Sequence, residues 1–534
     1  MSDIGHLWWQ HGVVYQIYPR SFQDTTGNGI GDLRGVTGRL SYLADVLGVD
    51  AIWLSPFFRS PMADFGYDVA DYVDVDPIFG TLDDFDALVV EAHRLGLKVV
   101  IDWVPNHSSD RHDWFLESSS SRDNPKRDWY IWRPPGADGA LPNNWVSLFG
   151  GPAWTFHEPT GEYYLHSFLS QQPDLNWRNP EVVDAMHDTV RFWMDRGVDG
   201  FRLDVIHMIL KDPQLRDNPP STSQPGWFAV EYDAFEHVHD KAHPDIHEQF
   251  RRLRSLVDDH DPSVERMLVG EIEPLPWAEW VEFYGAEGDG LHLPFNFRLI
   301  ESSWDAGSIK GVVDELEAAL PSFAWPNYVL GNHDQTRLAS RVGDQQARAA
   351  AMLLLTLRGT PTLYYGDEIG MHQADIPPDR QQDPFGRRVP GEGRDGCRTP
   401  MQWDATPGAG FSTADASALW LPLAEDFAKR NVATQLDDPG SLLSLYRNLL
   451  RLRRAEPALN RGSYRPLDGP DGVFLFERLH ETTELTVALN LGSVPVSVDL
   501  TGTVLANTNG DHRGKELDGT TELLPGEGFV VRVR

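Results

Sequence analysis

Acidic side chains stand at the ends of short apolar runs in four places: Asp102-Trp103-Val104-Pro105-Asn106-His107, Gly200-Phe201-Arg202-Leu203-Asp204, Gly270-Glu271 and Gly331-Asn332-His333-Asp334. Carboxyl groups so placed can take opposite tasks, one ionised as a nucleophile and another protonated as an acid, where their surroundings push their pKa values apart. Arg202 lies two positions before Asp204, hence on the same strand face, where its charge favours the ionised aspartate. A different chemistry is suggested by Asp24-Thr25-Thr26-Gly27-Asn28-Gly29-Ile30-Gly31-Asp32, with oxygen donors at every second residue and Gly29 permitting a sharp turn. This is the pattern of the first part of a calcium loop, although Gly35 stands where a full loop would place its closing glutamate. The expectation is a structural Ca²⁺ or Mg²⁺ held by Asp24, Thr26, Asn28, Ile30 and Asp32.

The elements that must position these groups alternate. Residues 13–18, 51–58, 97–104, 200–205, 267–272, 327–330 and 362–365 read as strands; 33–47, 348–357 and a stretch carrying Val183, Met186, Val190 and Trp193 on one face read as helices. Thr81 with Asp84 three residues later, a face of Phe85, Leu88, Val89 and Ala92, and Gly96 as a stop mark another helix. This is the rhythm of an α/β chain closed as a (β/α)8 barrel, whose active sites lie at the C-terminal strand ends. The rhythm predicts barrel segments over 1–104 and 177–456, an inserted subdomain over 105–176 with a short strand at 162–166, and a long polar excursion from 369 to about 440. A last helix over 441–454 follows, and then a C-terminal β-sandwich domain over 457–534 with strands at 473–479, 485–491 and 529–533.

In type, order and spacing the four strand-end clusters resemble the signature regions of glycoside hydrolase family 13, the α-amylase family, over the whole barrel. The resemblance implies that Asp204 is a nucleophile, Glu271 a proton donor and Asp334 a third carboxylate that binds sugar hydroxyls, with His107 and His333 donating hydrogen bonds in the same subsite. Retention of configuration requires the two reacting carboxyl groups about 5 to 5.5 Å apart. Gln172-Pro173-Asp174-Leu175-Asn176 is similar to the extra signature of the oligo-1,6-glucosidase and α-glucosidase branch, which acts on short sugars. Asp64-Phe65-Gly66-Tyr67-Asp68 resembles the segment that recognises a non-reducing glucose, Asp64 binding hydroxyls and Tyr67 stacking, which implies exo action. Phe149, Phe168 and Arg398 match positions that shape the pocket in related α-glucosidases.

Linkage is drawn two ways. Val205 resembles the residue of α-1,6-preferring relatives, whereas the long segment over 211–247, with Arg216-Asp217-Asn218-Pro219-Pro220, resembles the extended loop of α-1,4-specific ones. A loop over the acceptor site excludes geometries more decisively than one methyl contact, so α-1,4 is favoured. The expected substrates are maltose and malto-oligosaccharides, with transglucosylation capacity and no organic cofactor. An oligo-1,6-glucosidase, a sucrose isomerase or a trehalose synthase would keep every catalytic residue named.

Composition narrows the partners. The chain of 534 residues has 46 basic against 80 acidic side chains, net −34, which repels nucleic acid and anionic membrane surfaces. No run approaches the ~18 apolar residues of a membrane span, and Met1 to Gln10 lack the features of an export signal. The single cysteine, Cys397, forms no internal disulfide and fits a reducing compartment, so a cytoplasmic location is expected. The sequence selects neither a monomer nor a homodimer.

Overall fold

The computed structural model describes residues 7–222, 231–389, 391–510 and 512–534; part of the long 211–247 segment therefore lies outside the described residues. Eight parallel strands, β1 (Val14–Ile17), β2 (Ala51–Leu54), β3 (Lys98–Trp103), β4 (Gly200–Leu203), β5 (Met267–Gly270), β6 (Leu293–Pro294), β7 (Asn327–Val329) and β8 (Thr360–Tyr364), pair in the order β6-β5-β4-β3-β2-β1-β8-β7. Among the described residues only β6 and β7 lack a backbone ladder, and there Asn296 N donates to Asn327 Oδ1 at 3.2 Å.

Alternation along these strands fixes what the barrel contains. Val14, Trp53, Val100, Met267, Val269, Leu293 and Val329 pack into one apolar cluster. Two residues further along the same faces come Gln16, Asp102, Glu271 and Phe295. The barrel is thus plugged with hydrocarbon below and carries its polar layer at the C-terminal ends. The intervening residues, such as Ile17, Ile52, Leu54, Val99 and Ile101, face outward into the core shared with the helices.

Local rules account for the helices that cover the sheet. Thr81 and Asp84 form the reciprocal capping box, and Leu82–Arg94 buries Phe85, Leu88, Val89 and Ala92, a spacing of three and four that lays them on one stripe. Pro180–Asp195 begins with the Asn179 cap and a proline at its first turn, and buries Val183, Met186, Val190 and Trp193. Among the described residues no helix is long and apolar enough to cross a membrane.

After β3 the chain leaves the barrel. Trp132–Arg133, Glu162–Leu165 and Trp154–His157 make a small antiparallel sheet, with Trp145, Ala153, Trp154 and Leu165 as its own core. At the C-terminus β9 (Ser463–Pro466), β10 (Val473–His480), β11 (Thr483–Asn490), β12 (Val496–Asn507), β13 (Glu516–Leu523) and β14 (Gly528–Arg532) form an antiparallel domain in the order β9-β10-β11-β14-β12-β13. One face, with Phe474, Phe476, Val487 and Val530, joins the barrel core. The other, with Leu475, Val498, Leu500, Phe529 and Val531, encloses a separate core.

Four of the strands labelled β1 to β14 lie outside the sequence expectation. β6 is two residues long and contains Pro294, which cannot donate to a ladder; β9 and β13 are polar and largely exposed; β12 carries Asp499, Thr501 and Gly502 among its apolar residues. The helix expected over 348–357 begins ten residues earlier, at Leu338, because it continues across a kink at Gly343, whose φ is 79°.

Candidate active site

Strand register brings the carboxylates together. Asp102 on β3 pairs with Arg202 on β4, and Leu203 pairs with Gly270 on β5, so Asp204 and Glu271 emerge side by side. Arg202, fully buried, holds all three: Nη1 donates to Asp102 Oδ1 and Asp204 Oδ1, each at 2.7 Å, and Nη2 donates to Glu271 Oε2. Asp204 and Glu271 thus share one cation, with their charges held close together.

The electrostatics follow from one cation serving three acids. Burial pushes Asp102 up to about 7, against the pull of Arg202 and with the push of Glu271. Burial also raises Asp204 well above the usual carboxylate range; Arg202 opposes this, while Glu271 and Asp102 add to it. The spacing of Arg202 and Asp204 yields the expected ion pair, but burial and like charge outweigh it.

Asp334 sits in the opposite situation. Arg398 Nη2 reaches its Oδ1 at 2.7 Å and Arg394 Nη1 at 3.1 Å. Despite burial, His333 and the two guanidinium groups hold it well below the carboxylate range. Arg394 also donates to Asp64 Oδ1 at 2.9 Å and to Asp383 Oδ1 at 2.8 Å. Asp64 is pushed up to about 6 by burial, with Arg394 pulling it down.

Neutral imidazoles complete the floor and wall. Burial lowers His333 to about 3 and His107 to about 4. Gln16 Nε2 lies 2.8 Å from His333 Nδ1; the amide donates there, which leaves the ring proton on Nε2, 2.5 Å from Tyr67 Oη. Tyr67 Oη in turn donates to Asp102 Oδ2 at 3.2 Å, and its ring lies parallel to His333, 7° off, with centroids 5.5 Å apart. Gln172 Nε2 contacts both Asp64 Oδ2 (3.2 Å) and His107 Nε2 (3.1 Å).

These groups surround a cavity of about 250 Å³ lined by Asp64, Tyr67, His107, Phe149, Phe168, Asp204, Glu271 and Asp334. Arg202, His333 and Arg398 stand behind this lining and orient it. The two phenylalanines face each other edge to face at 5.7 Å, and Phe149 stacks on Phe385 at 5.4 Å. Val205, Phe297 and Ile300 line another part of the wall. Arg394 and Asp383 were absent from the residues singled out by sequence, and Asp102 stood in a strand-end cluster without an assigned role. The signal for Arg394 was its place one helical turn before Arg398 on the excursion; Asp383, eleven residues earlier, gave none.

The five proposed metal ligands lie away from the cavity. Asp24 accepts from the N–H groups of Thr26, Gly27 and Gly29, each at 2.8 Å, and from Ser412 Oγ at 2.5 Å. These bonds hold it below the usual range although burial opposes them. Asp32 accepts from Thr25 N at 2.7 Å and Gly35 N at 2.7 Å; Asn28 Oδ1 accepts from Ile30 N. Among the described residues neither carboxylate has an ion-pair partner, so the loop brings two uncompensated negative charges and neutral oxygens to one turn. That donor set suits a hard cation.

Comparison with known proteins places the geometry. The family described as "Alpha amylase, catalytic domain" matches residues 16–462. A probable alpha-glucosidase of Rhizobium meliloti (strain 1021) is 44% identical over 510 residues, 92% of this chain and 91% of that one. An oligo-1,6-glucosidase of Parageobacillus thermoglucosidasius is 38% identical over 496 residues, 86% of this chain and 85% of its own. The crystal structure of the alpha-glucosyl transfer enzyme XgtA superposes with a TM-score of 0.92 at 42% identity, covering 99% of this chain and all of that one.

Arg394→Ala leaves Asp64, Asp334 and Asp383 short of a buried cation, and its expected cost is about 3 kcal/mol, roughly a hundredfold in kcat/KM on an aryl α-glucoside. Because Arg394 lowers the Asp64 pKa, its loss moves that protonation to higher pH. In the wild type KM rises as pH falls through about 6; in Arg394→Ala the same rise begins at higher pH, and steady-state kinetics across pH checks both.

Proposed function

We propose, given that this chain belongs to the α-amylase family of glycoside hydrolases and is an α-glucosidase, that it releases glucose from the non-reducing end of short α-1,4-glucosides with retention of configuration. The observation that carries the reading is the pairing of Asp204 and Glu271 on Arg202, opposite a cavity end closed by Asp64, Arg394, Asp334 and Arg398. A closed end admits one terminal sugar and refuses a chain passing through, which supports exo action.

In this mechanism Glu271 is the proton donor and Asp204 the nucleophile. Glu271 gives its proton to the glycosidic oxygen as Asp204 attacks the anomeric carbon, and the bond to the leaving sugar breaks. Glu271, now a carboxylate, takes a proton from an incoming water, whose oxygen displaces Asp204. A sugar hydroxyl in place of that water gives transglucosylation by the same step. Asp334, held ionised by two guanidinium groups, binds hydroxyls and offsets the positive charge that develops on the ring. His107 and His333 act as uncharged hydrogen-bonding groups at neutral pH.

The preference for α-1,4 is supported by how the segment after β4 is pinned to the insertion. Trp145 Nε1 donates to Arg216 O, Asn144 Nδ2 to Asn218 O, and Gly151 N to Glu231 Oε2. This braces the stretch that carries Leu148 and Phe149 into the cavity wall. A second reading, α-1,6, is favoured by one observation: Val205 itself lines the cavity beside Asp204. Initial glucose release from maltose, isomaltose, trehalose and sucrose decides between them. Faster release from maltose is expected, a preference for isomaltose transfers the assignment to α-1,6, and release from none refutes the glucosidase. Asp204→Ala is expected to lower turnover on the order of 10⁴-fold or more, and retention of more than a trace removes Asp204 as the nucleophile.

A structural Ca²⁺ or Mg²⁺ in the Asp24–Asp32 loop is part of the same proposal, supported by its two uncompensated carboxylates. Chelation is expected to lower the melting temperature by several degrees and added cation to restore it; an unchanged value shows a loop held by its own N–H donors alone.

A further inference from the structure

A second cavity, of about 380 Å³, lies between the helix Leu442–Ala455 and β12 of the C-terminal domain and shares no lining residue with the first. Four arginines line it, Arg348, Arg451, Arg513 and Arg532, against one carboxylate, Glu456. In a chain where acids outnumber bases 80 to 46, a wall with the opposite balance is contrary to composition.

Two of the four are fixed. Arg348 donates from Nε to Thr508 O at 2.8 Å and from Nη1 to Gly440 O at 3.1 Å. These are neutral acceptors, so its full charge remains, with Asp438 the carboxylate that acts on it. Arg532 Nη2 donates to Glu456 Oε1, which consumes the only acid of the lining. Arg451 and Arg513 form no ion pair or side-chain hydrogen bond with any described residue. Like charges around one concavity repel, and among the described residues the single lining carboxylate, Glu456, is engaged by Arg532; an anion in the cavity would offset the remainder. Guanidinium groups are planar forks that match tetrahedral oxyanions two oxygens at a time.

We propose that this cavity is a binding site for a small phosphate-bearing anion, with Arg348, Arg451 and Arg513 as its cationic contacts. The net charge of −34 repels anions at long range but does not prevent a local site, because fields from exposed charges are screened within about 8 to 10 Å at ordinary ionic strength. The space exceeds what one phosphate fills, and the apolar residues Leu445, Leu452 and Val504 in the wall suit the carbon skeleton of an organic phosphate. An occupant would join the barrel to the C-terminal domain, since Arg348 and Arg451 belong to the first and Arg513 and Arg532 to the second.

Thermal unfolding is followed while inorganic phosphate, and separately glycerol 3-phosphate, is titrated at ionic strength held constant with chloride. The expected result is a saturating rise in melting temperature of a few degrees with either probe, reached at lower concentration with glycerol 3-phosphate if an organic phosphate is the better fit. In Arg451→Ala/Arg513→Ala the half-saturating concentration is expected to rise at least tenfold, while anion-free melting temperature and maltose turnover stay at wild-type values. Arg513→Glu, a single change on an exposed turn, gives an independent reading should the double variant fold poorly. No saturable rise, or an equal rise in the variants, overturns the proposal.

Discussion

Everything at the reacting centre depends on one guanidinium serving three carboxylates. Arg202 is buried with Asp102, Asp204 and Glu271 all on its two terminal nitrogens. A lysine ammonium could not make these contacts in one plane. Desolvating such a group is costly, and the cost is offset only if the strands deliver the acids at hydrogen-bonding distance. The parallel register of β3, β4 and β5 is therefore constrained by charge as well as by packing. A one-residue slip would turn Arg202 into the outer hydrocarbon core. With three acids on one cation, burial and like charge outweigh the guanidinium and raise both aspartates.

The barrel alone supplies the reacting pair but not the closed end of the cavity. Arg394, Arg398 and Asp383 come from the excursion after β8, and that excursion is fastened to the first βα connection as well as to the end of β8, where Tyr364 Oη donates to Cys397 O and Tyr365 Oη to Thr399 O. Met401 N donates to Ser21 O, Trp403 Nε1 to Phe22 O, and Ser21 Oγ to Arg398 O. Asp383 and Asp395 fold the excursion on itself, Asp395 accepting from the N–H groups of Gln382 and Asp383. The result is a guanidinium pair set opposite Asp64 and Asp334, so the closed end of the cavity and the carboxylates on Arg202 draw on different parts of the chain and meet only in the folded protein.

What could be read from the sequence follows that division. Strand-end carboxylates were legible because alternation fixes the face of each residue, and the capping box at Thr81 because it is local. Phe149 and Phe168 were named as pocket residues through resemblance, and both line the cavity, though nothing in their own spacing separates a cavity wall from a core. Arg394 and Asp383 were missed because an ion pair across an irregular loop has no period to betray it. The strand β6 was missed because two residues, one a proline, leave no pattern at all. The 211–247 segment was visible as a long insertion, but that it is anchored to Asn143, Asn144 and Trp145 depends on contacts some seventy residues away.

Val205 shows how the same centre stores strain. Its φ of 36° places a β-branched residue in the left-handed region, where Cβ crowds the backbone. The conformation persists because the ends of β4 and β5 determine it from both sides: Glu271 N donates to Leu203 O, and Ile206 N donates to Glu271 O. Its consequence is that Val205 N points at Glu271 Oε2, 3.2 Å away. The N–H and Arg202 together hold that oxygen as an acceptor, which fixes the orientation of the Glu271 carboxyl. A glycine would adopt this φ without strain but would remove the side chain that lines the cavity next to the nucleophile. One residue thus orients the acid through its backbone and bounds the substrate through its side chain, and the strain is the cost of combining the two.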